Sequence, residues 1–530
     1  MKILGLGGSQ HDLSCCLLED GKIVRAIDEE RLSREKHALG VRSLSMKSIA
    51  YCLDGGKLED IDLIITNDIF NENVLCMNPE LWNCFKINHH LAHAASGYYT
   101  SGFDSAAILV IDGAGSSFYF QNEACSLGYA QQNQIQFHKK HFGTSIAMFY
   151  SEFMHMCGFD IGQEGKLMGL APYGSPTYLK ELWNFVELKP NHIRVFTDRK
   201  EKMDTFKEMV AMDRRDQFQV RADLAYATQY IFEECIISIL NDLYDQTHCD
   251  RLCYSGGAAL NSVLNGKIAS RTRFKDIYIF PAAGDSGTSI GAALYGYYGL
   301  MKPNESKGAR ISHCFFGKTY GESEIESAIQ SYSLAYDIVE FDSLTERVAM
   351  DLSTGKIVGW FQGGAESGPR ALGNRSILCD PRDKEMKDIL NLNVKFRENF
   401  RPFAPVVLED RVHEYFDCVS NNEFMLFVGQ VKPSKQTEIP AVTHVDGSAR
   451  LQTVNKTNNQ KLYSLIEKFY EKTSVPILLN TSFNIEGKPI VETPQEAIEA
   501  FLNSGMDVLV MWKTYIRKKS KTDSDKRLGE

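Results

Sequence analysis

Apolar positions along the chain follow two rhythms. Short runs bounded by glycine or charged turns read as strands: Lys2–Leu6 before Gly7-Gly8, then Leu13–Leu18, then Ile23–Ile27 after the turn Glu19-Asp20-Gly21-Lys22. That is a β-meander. A comparable layout recurs from Ala106 to Ala130, as AILVID, a turn at Gly113–Ser117, FYFQNE and CSLGYA. The recurrence fits either a duplicated fold, two meander-plus-helix halves facing across a cleft, or two ordinary hairpins.

Helical spacing takes over elsewhere. Gln219–Asp245 carries apolar residues at helical spacing and reads as a core helix leading into a strand at Arg251–Tyr254. Another strand follows at Ile277–Phe280, and the polar stretch Lys302–Arg310, with Pro303 and Gly308, reads as the start of a linker. From about Asp342 a new unit begins, with a helix at Leu344–Ser353 and a strand at Lys356–Phe361. The fold class is therefore α/β, divided as 1–335, a linker at 336–344, and 345–530. Three charged stretches add no chemistry on composition: Asp28–His37 (DEERLSREKH) and Asp383–Leu390 read as solvated helix faces, and the tail Arg517–Glu530 as disordered.

Composition narrows the class. A chain of 530 residues exceeds one hydrophobic core. Its formal net charge of -10 argues against nucleic acid or an anionic membrane as main partner, so any anion site must be local. Thirteen cysteines, an odd number without a CxxC pair, suit a reducing compartment. With no charged leader and no apolar run near ~18 residues, a soluble cytoplasmic protein is expected.

Candidate chemistry lies in several places. His89 and His93, in NHHLAHAAS, share one helix face about 6 Å apart along the axis if Leu91–Tyr99 is helical. Asp112 ends the apolar run beside them, so two imidazoles and a carboxylate could hold iron or zinc, or the histidines could simply line a core. Lys166, in the glycine-flanked stretch Gln163–Gly174 (QEGKLMGLAPYG), reads as a loop residue able to meet an anion. Gly256, Gly257 and Asn261 stand at a strand-to-helix turn suited to an anion, and Asp285 at a similar junction is an N-cap or a fourth metal ligand, the cap being favoured by spacing. Arg370, Arg375, Arg401 and Arg450 sit among rigid or aromatic neighbours with Lys395 and Arg397 nearby, a pattern for bidentate phosphate recognition. Asn480, Thr481, Ser482 and Asn484 can read a base, a ribose or a carbamoyl amide.

These stretches resemble the carbamoyltransferase family of nodulation, cephamycin and aminoglycoside biosynthesis, the NodU/CmcH type. Its carriers are EERLSREKH, HHLAHAAS with IDGAG, EGKLMGLAPYG, SGGAALN, GDSGTSIGAAL, GPRALGNRSIL, KFRENFRPFAP, HVDGSARLQTV and NTSFNIEGKPIVETP, in this order over most of the chain. The resemblance implies a duplicated actin-like ATPase (ribonuclease H-like) N-terminal domain and a YrdC-like α/β C-terminal domain. It implies that carbamoyl phosphate and ATP, with Mg²⁺, form carbamoyl-AMP in the second domain. The first would then pass the carbamoyl group to a hydroxyl of a small-molecule acceptor. The family's Fe²⁺ (or Zn²⁺) site falls on His89, His93, Asp112 and Asp285, which displaces the capping reading of Asp285. Its phosphate and carbamoyl contacts fall on Arg370, Arg375, Lys395, Arg401 and Arg450, with Asn480 and Ser482 beside them; Arg370, Arg401 and Lys395 would act in catalysis.

His11, followed by Asp12, is a candidate base for the acceptor hydroxyl, since histidine titrates near neutrality. One departure stands out: where the family commonly has Arg-Met-Glu and an aromatic before GPRALG, this chain has Gly364, Ala365, Glu366 and Ser367. Two other readings compete, a tRNA carbamoylation enzyme of threonylcarbamoyladenosine type and a nucleotide-dependent regulatory module without group transfer. The acidic charge speaks against the first and the second phosphate site against the other. Oligomeric state is left open.

Overall fold

The computed structural model describes residues 1–189, 192–197, 199–418 and 422–518. The chain forms two compact units: Met1–Ile311 with Ser367–Pro369 and Leu426–Val428, and the remainder from Ser312 onward.

The first unit contains two sheets of the same design. In one, β1 (Lys2–Gly7), β2 (Ser14–Glu19), β3 (Lys22–Asp28), β4 (Leu63–Asn67) and β5 (Phe85–Ile87) stand in the order β3-β2-β1-β4-β5. The meander pairs are antiparallel, while β1/β4 and β4/β5 are parallel. In the other, β6 (Ser105–Ile111), β7 (Ser117–Phe118), β8 (Gln121–Gln131), β9 (Gln134–Phe142), β12 (Arg251–Ser255) and β13 (Asp276–Tyr278) form one sheet. Strands β9, β8, β6, β12 and β13 repeat both the order and the strand senses of the first sheet. A small hairpin, β10 (Val186–Lys189) with β11 (His192–Val195), lies outside both. The duplication read from the meanders is thus real.

Two helices join the halves at close range. The helix His89–Thr100 is capped by Asn88, whose side chain accepts from Leu91 N–H. The helix Thr288–Leu294 lies so close to β1 that a Cβ on Gly5 would be 2.0 Å from Ser289 O. A Cβ on Gly291 of that helix would be 1.8 Å from Ala92 O of the His89 helix. Glycine here serves approach of backbones rather than a turn. The long helix Gln217–Thr247 backs the second sheet, as its spacing predicts.

The second unit is built on a mixed sheet of eight strands. Its strands are β14 (Asp337–Ile338), β15 (Val358–Phe361), β16 (Arg375–Cys379), β17 (Ala404–Leu408), β21 (Gln452–Val454), β22 (Ile477–Ser482), β23 (Val508–Met511) and β24 (Thr514–Arg517). They are ordered β14-β24-β23-β15-β16-β22-β17-β21, with β15/β23 and β17/β21 parallel. A smaller sheet joins β18 (Phe416–Asp417), β19 (Val428–Val431) and β20 (Ser448–Arg450). The helices Phe341–Ser353 and Lys456–Thr473 pack together, and the core runs through Trp360, Ile377, Val406 and Leu478.

Several expectations change. The units divide between Ile311 and Ser312, and 336–344 holds β14 and the start of a helix, because Ile325 and Ile329 of the helix Glu322–Ser331 already belong to the second core. The stretch expected as FYFQNE strand is a hairpin that turns at Tyr119 and Phe120, both at positive φ. Gln163–Gly174 is not a loop: Glu164–Leu170 is helical, because Leu167 and Leu170 are buried on one face. Asp28–His37 is not a solvated face either. Only Glu29–Ser33 is α-helical there, followed by a short 3-10 turn from Lys36; Glu29 and Arg31 are buried, and Glu29 accepts Ser48 N–H at 2.8 Å. Asp383–Leu390 shortens to the helix Met386–Leu390, with both end residues buried. In the tail, Thr514–Arg517 is a strand, and the part expected to be disordered from residue 519 on lies outside the described residues. No helix among the described residues is long and apolar enough to cross a membrane, and all thirteen cysteines are free thiols.

Candidate functional site

In the first unit, His89 and His93 project from the first turns of one helix, Asp112 follows β6, and Asp285 begins the turn into the helix Thr288–Leu294. Their donor atoms lie within 4.8 Å of one another and all four residues are buried. His89 Nε2 is 3.1 Å from His93 Nε2 and 3.5 Å from both Asp112 Oδ2 and Asp285 Oδ1; His93 Nε2 is 3.4 Å from Asp285 Oδ1.

The carboxylates are themselves held in place. Gly257 N–H donates to Asp112 Oδ1 at 2.7 Å, and Ser9 Oγ–H donates to Asp285 Oδ2 at 2.6 Å. Burial alone would lower the His89 pKa, but Asp285 and Asp112 outweigh it and hold the imidazole up to about 10. Two buried carboxylates facing two buried imidazole nitrogens, with no protein partner on either Nδ1, form a donor set of nitrogen and oxygen that fits a divalent cation. Asp285 is thus a member of this cluster, as the family pattern implies, and its side chain caps no helix.

The glycines beside the cluster have distinct tasks. Gly256 has φ 91°, and a Cβ there would be 2.2 Å from Ile111 O, so the β12 turn can lie against the end of β6. Gly257 supplies the N–H to Asp112. Asn261 is turned inward: it caps its own helix at Leu264 N–H and bonds Gln229. Lys166 is half-buried on its helix, 5.5 Å from the Phe159 ring centre.

His11 is tied to Asp12 by a 2.9 Å bond from Nδ1, and the other oxygen of Asp12 meets His37 Nδ1, also at 2.9 Å. One carboxylate therefore bridges two imidazoles. Its hydrogen bond raises the His11 pKa to about 9, against burial. His37 carries no special signal in the sequence beyond its place in the charged stretch, and only the fold brings it to Asp12.

In the second unit the arginines separate into two kinds. Arg375 is fully buried, with its guanidinium donating to the carbonyls of Gln362 at 2.8 Å and Gly363 at 3.1 Å and lying 3.6 Å from the Phe361 ring centre. Its two terminal nitrogens are engaged by the backbone. Lys395 is similar, bonded to Ser482 O, Ser482 Oγ and Asn484 Oδ1 at 2.5, 3.1 and 2.7 Å, which also engages Ser482. Asn480 donates to Gln452 Oε1 at 2.8 Å, while its own Oδ1 is buried without a protein partner.

Arg370, Arg397, Arg401 and Arg450 are the second kind. Burial lowers the pKa of each, that of Arg370 to about 10 and of Arg397 to about 9. Repulsion adds to it: Arg401 acts on Arg370 and Arg397, and all three act on Arg450, which is held well below the ordinary guanidinium range. Arg401 meets Glu398 at 3.7 Å. Like charges gathered in a poorly solvated place are relieved by an anion. Arg397 joins them from the sequence KFRENFRPF, where only its charge marked it.

Glu366 sets the arginine-bearing loop. Its Oε1 accepts the N–H groups of Leu372, Asn374 and Arg375 at 2.7, 2.8 and 3.2 Å from a buried position. The departure at Gly364 has a steric reason. A Cβ there would be 2.3 Å from Gly317 O, and Gly317 N–H donates to Ala365 O, so the 315–317 segment fills the space of a larger side chain.

Comparison with known proteins agrees with this division. Residues 2–80 and 72–294 match the model of the carbamoyltransferase N-terminus, and residues 349–518 that of the carbamoyltransferase C-terminus. The chain is 35% identical over 557 residues to the nodulation protein NolNO of Sinorhizobium fredii, covering 97% of this chain and 80% of the relative. It is 37% identical over 439 residues to the nodulation protein NolO of Bradyrhizobium diazoefficiens, covering 82% and 79%. Protein sll1178 of Synechocystis is 34% identical over 594 residues, covering 96% and 95%. With both halves of the chain matched in order, this protein belongs to the carbamoyltransferase family and is a carbamoyltransferase.

Proposed function

We propose that the chain is an ATP-dependent O-carbamoyltransferase that works in two steps, the first in the second unit. The observation that supports it most is the group Arg370, Arg397, Arg401 and Arg450, whose mutual repulsion suits it to a polyanion. Carbamoyl phosphate and Mg²⁺-bound ATP are anions of that kind. Water cleaves carbamoyl phosphate to carbamate and inorganic phosphate, and the carbamate oxygen then attacks the α-phosphorus of ATP as the bond to pyrophosphate breaks. Arg370, Arg401 and Arg450 hold the phosphates and neutralise charge that builds on the leaving oxygens. Arg375 and Lys395 act at one remove, fixing the loop and the β22 end that carry the contacts. Asn480, with a free carbonyl oxygen, accepts from the carbamoyl amide.

The second step belongs to the first unit. The acceptor hydroxyl oxygen bonds to the carbamoyl carbon, the bond from that carbon to the phosphate oxygen breaks, and AMP leaves with the electron pair. His89, His93, Asp112 and Asp285 would hold Fe²⁺ or Zn²⁺, which when bound supplies Lewis-acid polarisation. Gly256 and Gly257 offer the backbone turn beside Asp112, while Asn261 is committed to Gln229 and to its own helix start. His11 accepts the hydroxyl proton, and Asp12 orients its ring and stabilises the resulting imidazolium. The acceptor is a small molecule.

The test uses the purified full chain with carbamoyl phosphate and ATP, following AMP and pyrophosphate. Arg370→Ala is expected to lower pyrophosphate release by about 10²–10³. Unchanged release would remove the adenylation step from this unit.

A further inference from the structure

Imidazoles that hold a metal are ordinarily oriented by a hydrogen bond from the second ring nitrogen to a carboxylate or a carbonyl. Among the described residues that device is missing in the first unit, where Nδ1 of both His89 and His93 is buried without a protein partner. The place of each imidazole is then set by the backbone that carries it. What fixes the first turn of the helix His89–Thr100 fixes the donors.

That turn is tied down around one hydroxyl. Ser116 is buried on the loop that Asp112 begins. Its Oγ–H donates to Asp68 Oδ1 at 2.7 Å, and its lone pairs accept Asn88 Nδ2–H at 2.7 Å and His89 N–H at 3.1 Å. A hydroxyl has one donor and two acceptor positions, so none is left over. Asn88 is used as completely: its Oδ1 accepts Leu91 N–H, and its second amide hydrogen goes to Glu123 Oε2 at 2.8 Å.

The anchors come from both sheets. Asp68 follows β4 of the first sheet and also accepts His89 N–H at 3.1 Å. Glu123 stands on β8 of the second, fully buried, and is held by Lys140 Nζ at 2.8 Å and by Ser126 Oγ–H at 2.5 Å. Since Ser126 gives its proton to Glu123, its oxygen accepts from His90 Nδ1–H, at 2.8 Å. The loop lies directly against this turn, for a Cβ on Gly115 would be 2.6 Å from His90 Nε2. It is also stitched to β8, with Gly115 N–H donating to Glu123 O at 2.7 Å and Glu123 N–H to Ser116 O at 2.9 Å. Asp112 heads the loop and His89 heads the helix, and the Ser116 hydroxyl joins the two.

We propose that Ser116 is a positioning residue for the four clustered donors: with Asn88, Asp68 and Glu123, its hydroxyl sets the distance between Asp112 and His89, and so how tightly a divalent cation is held between them. The inference rests on reading His89, His93, Asp112 and Asp285 as a cation site.

The experiment titrates Co²⁺ into the metal-free full chain and reads affinity together with the visible ligand-field spectrum, neither of which needs turnover. Ser116→Ala removes one oxygen and adds no bulk. Its Co²⁺ dissociation constant should rise about 10–100-fold, with a shifted or weakened visible band. Asn88→Asp keeps an oxygen for the helix cap but has no amide hydrogens for Ser116 and Glu123, and it should act in the same sense. The control is Thr100→Val, which removes a buried hydroxyl bonded to Ser96 O at the far end of the same helix. It should lower the melting temperature and leave Co²⁺ affinity and spectrum as in wild type. Wild-type affinity in Ser116→Ala or Asn88→Asp, or an equal loss in Thr100→Val, overturns the positioning role. If wild type itself binds no Co²⁺, the cation-site reading fails and takes the positioning role with it.

Discussion

His89 Nε2 and His93 Nε2 stand 3.1 Å apart, with Asp285 Oδ1 3.5 and 3.4 Å from them. Neither ring is anchored through its other nitrogen by a protein group, so the cluster depends on what its inward atoms share. We expect His93→Ala to lower bound iron or zinc at least ~10-fold, measured by elemental analysis of the purified chain. Chelation of wild type should also lower the melting temperature, since a cation that binds only the folded state adds to its stability. Equal metal content in wild type and variant would leave the cluster a hydrogen-bonded core group.

Arg370→Ala and Arg375→Ala should fail in different ways. Among the described residues Arg370 is paired with no carboxylate, and it is repelled by Arg401, so its loss relieves the folded chain while removing the anion contact proposed for it. The expected result is a melting temperature close to wild type with pyrophosphate release down about 10²–10³. Arg375 bonds buried carbonyls, and its loss leaves them unpaired at a cost of about 2–5 kcal/mol. Its melting temperature should fall clearly. Similar thermal curves for the two variants would contradict the distinction.

Glu366→Gln tests the loop itself. Charge-assisted bonds to three N–H groups become neutral ones, and Leu372, Asn374 and Arg375 lose part of their hold. A loss of about 1–3 kcal/mol in unfolding free energy is expected, with a higher KM for carbamoyl phosphate. A variant with unchanged stability and KM would show that the loop is set by its prolines and glycines alone.

The contrast between these residues marks what the sequence could tell. Strand runs and the His89–His93 pair are local patterns, and the chain order of β1–β5 and its repetition follow from them. Arg370 and Arg375 look alike as text, both following a glycine-bearing turn, yet one faces like charges and the other is consumed by carbonyls. That difference depends on β16 pairing with β15, which brings Arg375 beside Phe361. Likewise DEERLSREKH has the composition of a solvated face, and only tertiary burial of Glu29 and Arg31 overrides it. His37 could not be linked to Asp12 from spacing, because the bond depends on a turn in which His37 and Ala38 hold positive φ.

The Asp12 bridge gives a pH prediction. The His11 pKa is raised above its ordinary 6.5 to about 9, chiefly by the bond to Asp12. The stability it adds is complete below about 6.5 and is lost as pH rises through 9. If His11 is the base for transfer, the rate of the second step should climb with pH to a limb near 9. In Asp12→Asn that limb should move down toward 6.5, tracked in parallel by histidine ring protons in NMR. A limb that stays near 9 would assign the proton to another group.

The close passage of Gly291 over Ala92 has a mechanical consequence. One helix carries His89 and His93, the other follows directly from Asp285, and no side chain lies between their backbones to act as a bearing. Any side chain at position 291 would have to push the two backbones apart, since a Cβ there would stand 1.8 Å from Ala92 O. The separation between the helix that bears His89 and His93 and the turn at Asp285 is thus set by the absence of one side chain, and a single substitution at 291 would open it without touching any of the four clustered residues.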